Sequence, residues 1–219
     1  MKVKDACNLS NQVYQDSLKP FQEIYEKVIR VEHGTDYAVV CLSNIRKELV
    51  IVYRGSNNIK DFIDDFDFLS KDHEGYGRLN SGIAEAYFEI KPKVFTAIRS
   101  LYKTGYKIYL TGHSKGASMS EICAYDCFKD YPDAHIELIN FGSPKIGKSE
   151  WKKNFNSTSI VYKRVVNEND LVTHLPRSWT FYKHVVDPII VGNRSKWNIY
   201  GSIPDHYLVN YSRNIPEDL

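Results

Sequence analysis

An α/β fold, with a single mainly parallel central sheet flanked by helices, is what the sequence predicts, and three observations carry it. Short β-branched runs alternate with helical stretches of roughly ten to twenty residues. One such run feeds straight into the glycine-flanked pentapeptide Gly112-His113-Ser114-Lys115-Gly116. The 219-residue chain is long enough for one domain with a substantial core, and no repeat or linker divides residues 1–219.

Along the chain, the first thirty residues read as helix, with Pro20 permitting a break. Phe21, Ile24, Tyr25, Val28 and Ile29 recur there at i, i+3 and i+4. Tyr37 to Leu42 and Glu48 to Tyr53 are β-branched runs joined by a polar link, which predicts a hairpin. Helical periodicity over 82–104 passes through Ile83, Ala86, Tyr87, Ile90, Val94, Ile98 and Leu101, and Gly105 supplies a stop. Lys107 to Thr111 is a buried strand and Ala117 to Phe128 a helix. Further strands are expected at Ile136 to Phe141, Ile160 to Val166 and Lys183 to Val191, with a helix around Lys148 to Phe155.

Composition excludes several classes. With 42% hydrophobic and 26% charged residues the chain is an ordinary globular one. The 29 basic and 27 acidic residues nearly cancel and are scattered, so a nucleic-acid partner is not expected. Uncharged apolar runs reach about six residues against the ~20 that span a bilayer, so no transmembrane span is expected. Behind Met1-Lys2-Val3-Lys4 there is no apolar run of the signal-peptide kind. Cys7, Cys41, Cys123 and Cys127 form neither a CxxC pair nor a disulfide framework. Reduced core thiols, an intracellular setting, and no metal or cofactor are the expectations.

A G-x-S-x-G pattern is weak alone, but here it lies where a strand must turn sharply into a helix, which lifts Ser114 Oγ clear of the sheet. A serine hydroxyl is a poor nucleophile near neutral pH. It needs an imidazole base, and the imidazole needs a carboxylate to fix its tautomer and stabilise its cation. Asp170 follows a strand end and is suited to be that carboxylate. His174, His184 and His206 all lie beyond it. His174 is too near Asp170 in the chain and His184 opens a strand-like run, so His206, from a late loop, is preferred. Serine, aspartate, histidine is the chain order of α/β-hydrolases.

Six segments, in order over residues 53–208, resemble the class 3 (fungal-type) lipase family. They are Tyr53-Arg54-Gly55-Ser56, Ser81-Gly82, Thr111 to Ala117, Phe141 to Gly147, Val166 to Asp170 with His174-Leu175-Pro176, and Asp205 to Leu208. The resemblance implies the α/β-hydrolase fold, a triad of Ser114, Asp170 and His206, and an oxyanion hole from Ser56 and the amide of Lys115. It also implies a carboxylic ester substrate, of the acylglycerol or phospholipid kind, and a short lid after the oxyanion serine. Ile59, Phe62, Ile63 and Phe66 share one face of residues 59–66, as a lid that transiently meets a lipid surface would require; a fixed surface helix is the plainer alternative.

Two positions depart from the family: Lys115 stands where an apolar residue is usual, and Ala117 where Gly often is. A cation beside the acyl pocket disfavours a long apolar chain unless it points to solvent. Lys115 therefore keeps other readings open: a catalytically inactive lipid- or protein-binding module, a small-ester esterase, or an acyltransferase. Trp179, Phe181, Tyr182, Trp197 and Tyr200, ahead of His206, suit either core packing or an acyl-facing surface.

Overall fold

The computed structural model describes residues 1–64, 69–176, 180–193 and 201–219. In chain order its elements are α1 (Val3–Gln12), α2 (Lys19–Gln22), β1 (Lys27–His33), β2 (Asp36–Ser43), β3 (Glu48–Tyr53), α3 (Ile59–Asp64), β4 (Ser70–His73), β5 (Gly77–Asn80), α4 (Ser81–Leu101), β6 (Lys107–His113), α5 (Lys115–Asp130), β7 (Ile136–Phe141), α6 (Ser149–Asn156), β8 (Val161–Asn167), β9 (Pro188–Val191) and α7 (Leu208–Asn214). The main sheet has the order β1-β2-β3-β6-β7-β8-β9. Its first three strands pair antiparallel, and from β3 to β9 every pairing is parallel.

Both faces of this sheet are covered, which is why β2 and β3 carry the unbroken apolar runs Tyr37 to Leu42 and Leu49 to Tyr53. On β2, Ala38, Val40 and Leu42 point into a core shared with α4, α5 and α6, while Tyr37, Val39 and Cys41 point into a core closed by α1 and α2. A third cluster joins Ile139, Phe141 and Val165 to Leu208 and Tyr211 of α7 and to Val3, Ala6 and Cys7 of α1. All four cysteines are buried and free. No helix among the described residues is long and apolar enough to cross a membrane.

The strands and helices read from residues 36–167 are found, with small shifts of their ends. Helix α4 begins where Asn80 Oδ1 accepts from Ile83 N at 3.0 Å, an N-cap bond. Two expectations are corrected. Residues 27–33 form a strand, not the end of a helix: Val28 sits opposite Cys41 and Val31 opposite Ala38. The open edge of β2 offers a full ladder of backbone hydrogen bonds, and β-branched residues fit it better than a short helix. The last strand starts at Pro188 instead of Lys183, because Lys183 N is held by Gly147 O at 2.9 Å.

Candidate active site

Strand β6 ends in His113 and helix α5 starts at Lys115, so Ser114 alone makes the turn. Its φ of 58° and ψ of −130° lie where non-glycine residues are strained, at a cost of roughly 1–3 kcal/mol. The surroundings impose this geometry. A Cβ on Gly116 would lie 2.5 Å from Tyr53 O, and one on Gly55 would lie 2.5 Å from His113 O, so the end of β3 rests directly on the turn. Only glycine permits that approach.

Asp170 and His206 come from the far side of the sheet. Asp170 follows β8, and His206 closes a single 3-10 turn, Pro204–His206, before α7. The two loops are stitched together: Leu171 N donates to Ser202 O at 3.1 Å, Ser202 N to Asn169 O at 2.7 Å, and Asn167 Nδ2 to Asp205 O at 2.9 Å. His206 Nδ1 lies 2.8 Å from Asp170 Oδ2 and 3.0 Å from Oδ1. A carboxylate accepts only, so Nδ1 carries a proton, and in the neutral ring Nε2 is the nitrogen left to accept one. Asp170 also accepts from Val172 N at 2.9 Å and from the Tyr211 hydroxyl at 2.6 Å. Burial, then the adjacent Asp170 charge, pushes the Tyr211 phenol well up, so it stays a donor. Gly142, with φ of 59°, lets the β7 loop pass this pair, since a Cβ there would lie 2.8 Å from both Asp170 Oδ2 and His206 Nδ1.

Ser114 Oγ and His206 Nε2 are both buried, and neither hydrogen-bonds to any described residue. Ser114's chain neighbour His113 packs its ring on that of His206 at 4.4 Å between centroids. His113 Nε2 reaches His206 O at 2.7 Å, and its Nδ1 meets the Tyr14 hydroxyl at 2.9 Å. Burial holds the His113 imidazole well below its ordinary range, hence neutral.

The other two histidines stand elsewhere. His174 is exposed at the end of the turn after Asp170. His184 Nε2 bonds Thr173 O at 2.7 Å, and burial lowers its pKa to about 3, so it braces the Asp170 loop as a neutral ring.

Ser56 and Lys115 line one cleft of about 630 Å³ beside the turn, together with Arg54, Phe62 and Ile83. The Lys115 ammonium does not reach for solvent: it pairs with Asp36 Oδ1 at 2.7 Å. Phe62 and Ile63 of α3 are partly buried against the main core. Asp65 and Phe66 of the expected lid, and Trp179, Trp197 and Tyr200, lie outside the described residues. Of the remaining aromatics in that stretch, Tyr182 is core and Phe181 is exposed. Among the described residues no group of three or more His, Cys, Asp or Glu is placed to hold a metal ion.

The sequence profile described as lipase (class 3) matches residues 50–179, more than half of the chain and including Ser114 and Asp170. The chain belongs to the class 3 lipase family. Among curated relatives of this family member are a lipase of Rhizomucor miehei, 30% identical over 146 residues (64% of this chain, 40% of that protein), and a secreted mono- and diacylglycerol lipase of Fusarium solani, 33% identical over 156 residues (67% and 45%). The chain thus spans about two fifths of the length of the curated relatives it matches. The solved Rhizomucor miehei triacylglyceride lipase superposes with a TM-score of 0.81 at 22% identity, covering 95% of this chain and 93% of that one. The shared architecture is the α/β-hydrolase fold.

Proposed function

We propose that this class 3 lipase hydrolyses carboxylic esters of lipids, acylglycerol or phospholipid, through Ser114, His206 and Asp170 and a covalent acyl-enzyme. The observation that carries the reading is the His206 ring itself. Asp170 holds its Nδ1–H at 2.8 Å, and its buried Nε2 has no other protein partner among the described residues. Support also comes from relatives named lipase, mono- and diacylglycerol lipase and phospholipase A1.

In the proposed reaction His206 Nε2 takes the Ser114 hydroxyl proton as Oγ bonds to the ester carbon, and the carbonyl oxygen becomes negative. The backbone amides of Ser56 and Lys115 receive that oxygen; losing one such donor typically costs about 10²- to 10³-fold in turnover. As the carbon–alkoxide bond breaks, the imidazolium returns the proton to the leaving oxygen. Water then gives a proton to Nε2, its oxygen bonds to the acyl carbon, and the acid leaves while Oγ recovers the proton. Asp170 stabilises the imidazolium at both stages. Helix α3 is the proposed lid, its Phe62 and Ile63 held against the core until a lipid surface takes them.

Hydrolysis of p-nitrophenyl esters by the wild type and by Ser114→Ala tests the proposal. A loss of about a thousandfold or more in the variant, with a wild type that a phosphonate inactivates, is expected. A folded wild type inert to every ester and to the phosphonate would sink it in favour of a binding module.

A further inference from the structure

We propose that the ion pair of Lys115 and Asp36 is a specificity device that makes this site select esters of short acyl groups over long ones. The inference rests on the hydrolase reading and refines its substrate. The leaving alkoxide must lie against His206 Nε2, which protonates it, and the carbonyl oxygen must lie against the amides of Ser56 and Lys115. The acyl chain is left to run beyond those amides. The cleft beside them is lined, among the described residues, by Ser56 and by Lys115, the chain neighbour of Ser114, and by none of Ser114, His206 and Asp170.

One side of that cleft carries charge instead of alkyl. Lys115 Nζ lies 2.7 Å from Asp36 Oδ1, with the two side chains only 20% and 13% exposed. Next to them the Arg54 guanidinium donates from Nη2 to Thr35 O at 2.9 Å, while its buried Nε has no hydrogen-bond partner among the described residues. Asn57, Asn58 and Asp61 continue the polar lining, and Phe62 and Ile83 supply its apolar part. Each further methylene gains free energy only where it enters an apolar wall. Against an ion pair it strips water from two charges without replacing their hydrogen bonds. Ile83 of α4 gives a short acyl group an apolar contact, and a longer one that goes on to meet the ion pair gains nothing further.

The test compares kcat/KM on monomeric p-nitrophenyl butyrate and decanoate for the wild type and for Lys115→Leu combined with Asp36→Leu, with active sites counted by a phosphonate. We expect the wild type to favour butyrate by at least tenfold, and the double variant to raise the decanoate-to-butyrate ratio by at least tenfold. The charge-exchanged pair, Lys115→Asp with Asp36→Lys, should keep the wild-type ratio. If the double variant fails to fold, Lys115→Met, with a stem that keeps most of the reach and no charge, decides through the same ratio. A wild type that labels but prefers decanoate, or a ratio that does not move, overturns the selection and leaves the hydrolase reading intact. A wild type that neither labels nor turns over either ester takes both down together.

Discussion

His113 donates from Nε2 to the backbone carbonyl of His206 at 2.7 Å, and the residue that precedes the serine thereby holds the main chain of the proposed base. A carbonyl oxygen only accepts, so the His113 proton is on Nε2 and Nδ1 must accept from the Tyr14 hydroxyl. A residue just past α1 is tied in this way to the loop that carries His206.

Tyr14→Phe leaves a buried acceptor without its donor, at a cost of roughly 1–3 kcal/mol. For a chain of this size we expect the melting temperature to drop by about 2–12 °C. Turnover should fall about three- to tenfold with KM nearly unchanged, because the hydroxyl acts on His206 through His113. A change in KM alone would place Tyr14 against the substrate instead.

Asp170→Asn keeps the shape of the carboxyl but offers its Nδ1 partner an amide that no longer fixes the tautomer or stabilises the cation. Steady-state kinetics should show kcat lower by about 10³- to 10⁴-fold. Tyr211→Phe, which removes one of several bonds to the same carboxylate, should cost far less. Equal losses in the two would mean that Asp170 serves mainly to hold the loop.

Gly116→Ala tests the seat of the turn. The added methyl would meet Tyr53 O at 2.5 Å, closer than side chains tolerate, so the Tyr53–Ser56 segment must move. Thermal denaturation and phosphonate labelling together should show lower stability and labelling slowed by a factor of ten or more. Unchanged labelling would show that the placing of Ser56 does not matter to the reaction.

Glu121 on α5 gives a pH prediction. Its buried carboxyl accepts from Trp151 Nε1 at 2.9 Å and the Tyr162 hydroxyl at 3.0 Å, and burial raises its pKa from 4.5 to about 7. An acid raised on folding keeps a proton that the unfolded chain releases, so its contribution to stability is lost as pH rises from about 4.5 through 7. Between pH 5 and pH 8, Glu121→Gln should gain on the wild type by on the order of 3 kcal/mol, read as a widening difference in melting temperature. A difference that stays constant would mean the carboxyl is ionised throughout.

Phe62→Ser with Ile63→Ser tests the lid. Both side chains are partly buried against the core, so their exchange should flatten the rise in rate that a wild-type lid would give at the onset of micelles. The same rise in wild type and variant would make α3 a fixed surface helix.

What was legible in the sequence follows burial. The inner strands are covered on both faces, so β2 and β3 stand out as apolar runs, Tyr37 to Leu42 and Leu49 to Tyr53, and chain order and chemistry point to Ser114, Asp170 and His206, of which Asp170 and His206 lie in contact. The ribbon β4–β5 was not legible, because Ser70–His73 is polar and half or fully exposed, which leaves no period to read. Helix α7 is seven residues with Leu208 and Tyr211 as its buried pair, too short for a helical stripe. Tyr14 and His113 were passed over as site residues because nothing local marks them; their roles arise from contacts 99 and 93 residues apart in the chain. The stretch 24–29 misled because Val28 and Ile29 suit a helix stripe and an edge strand alike, and the partner that decides between them, β2, comes later.

Chain order also sets a timetable. Ser114 and its turn are complete once α5 has been made, but His206 lies beyond β9, the final strand of the sheet. On the proposed assignment a chain still emerging from the ribosome carries the serine, its glycines and most of the sheet with no imidazole to take the hydroxyl proton. Ester cleavage would begin only when residues near 206 have cleared the exit tunnel, so unfinished chains and products cut short before that point would be inert however well their first strands had folded.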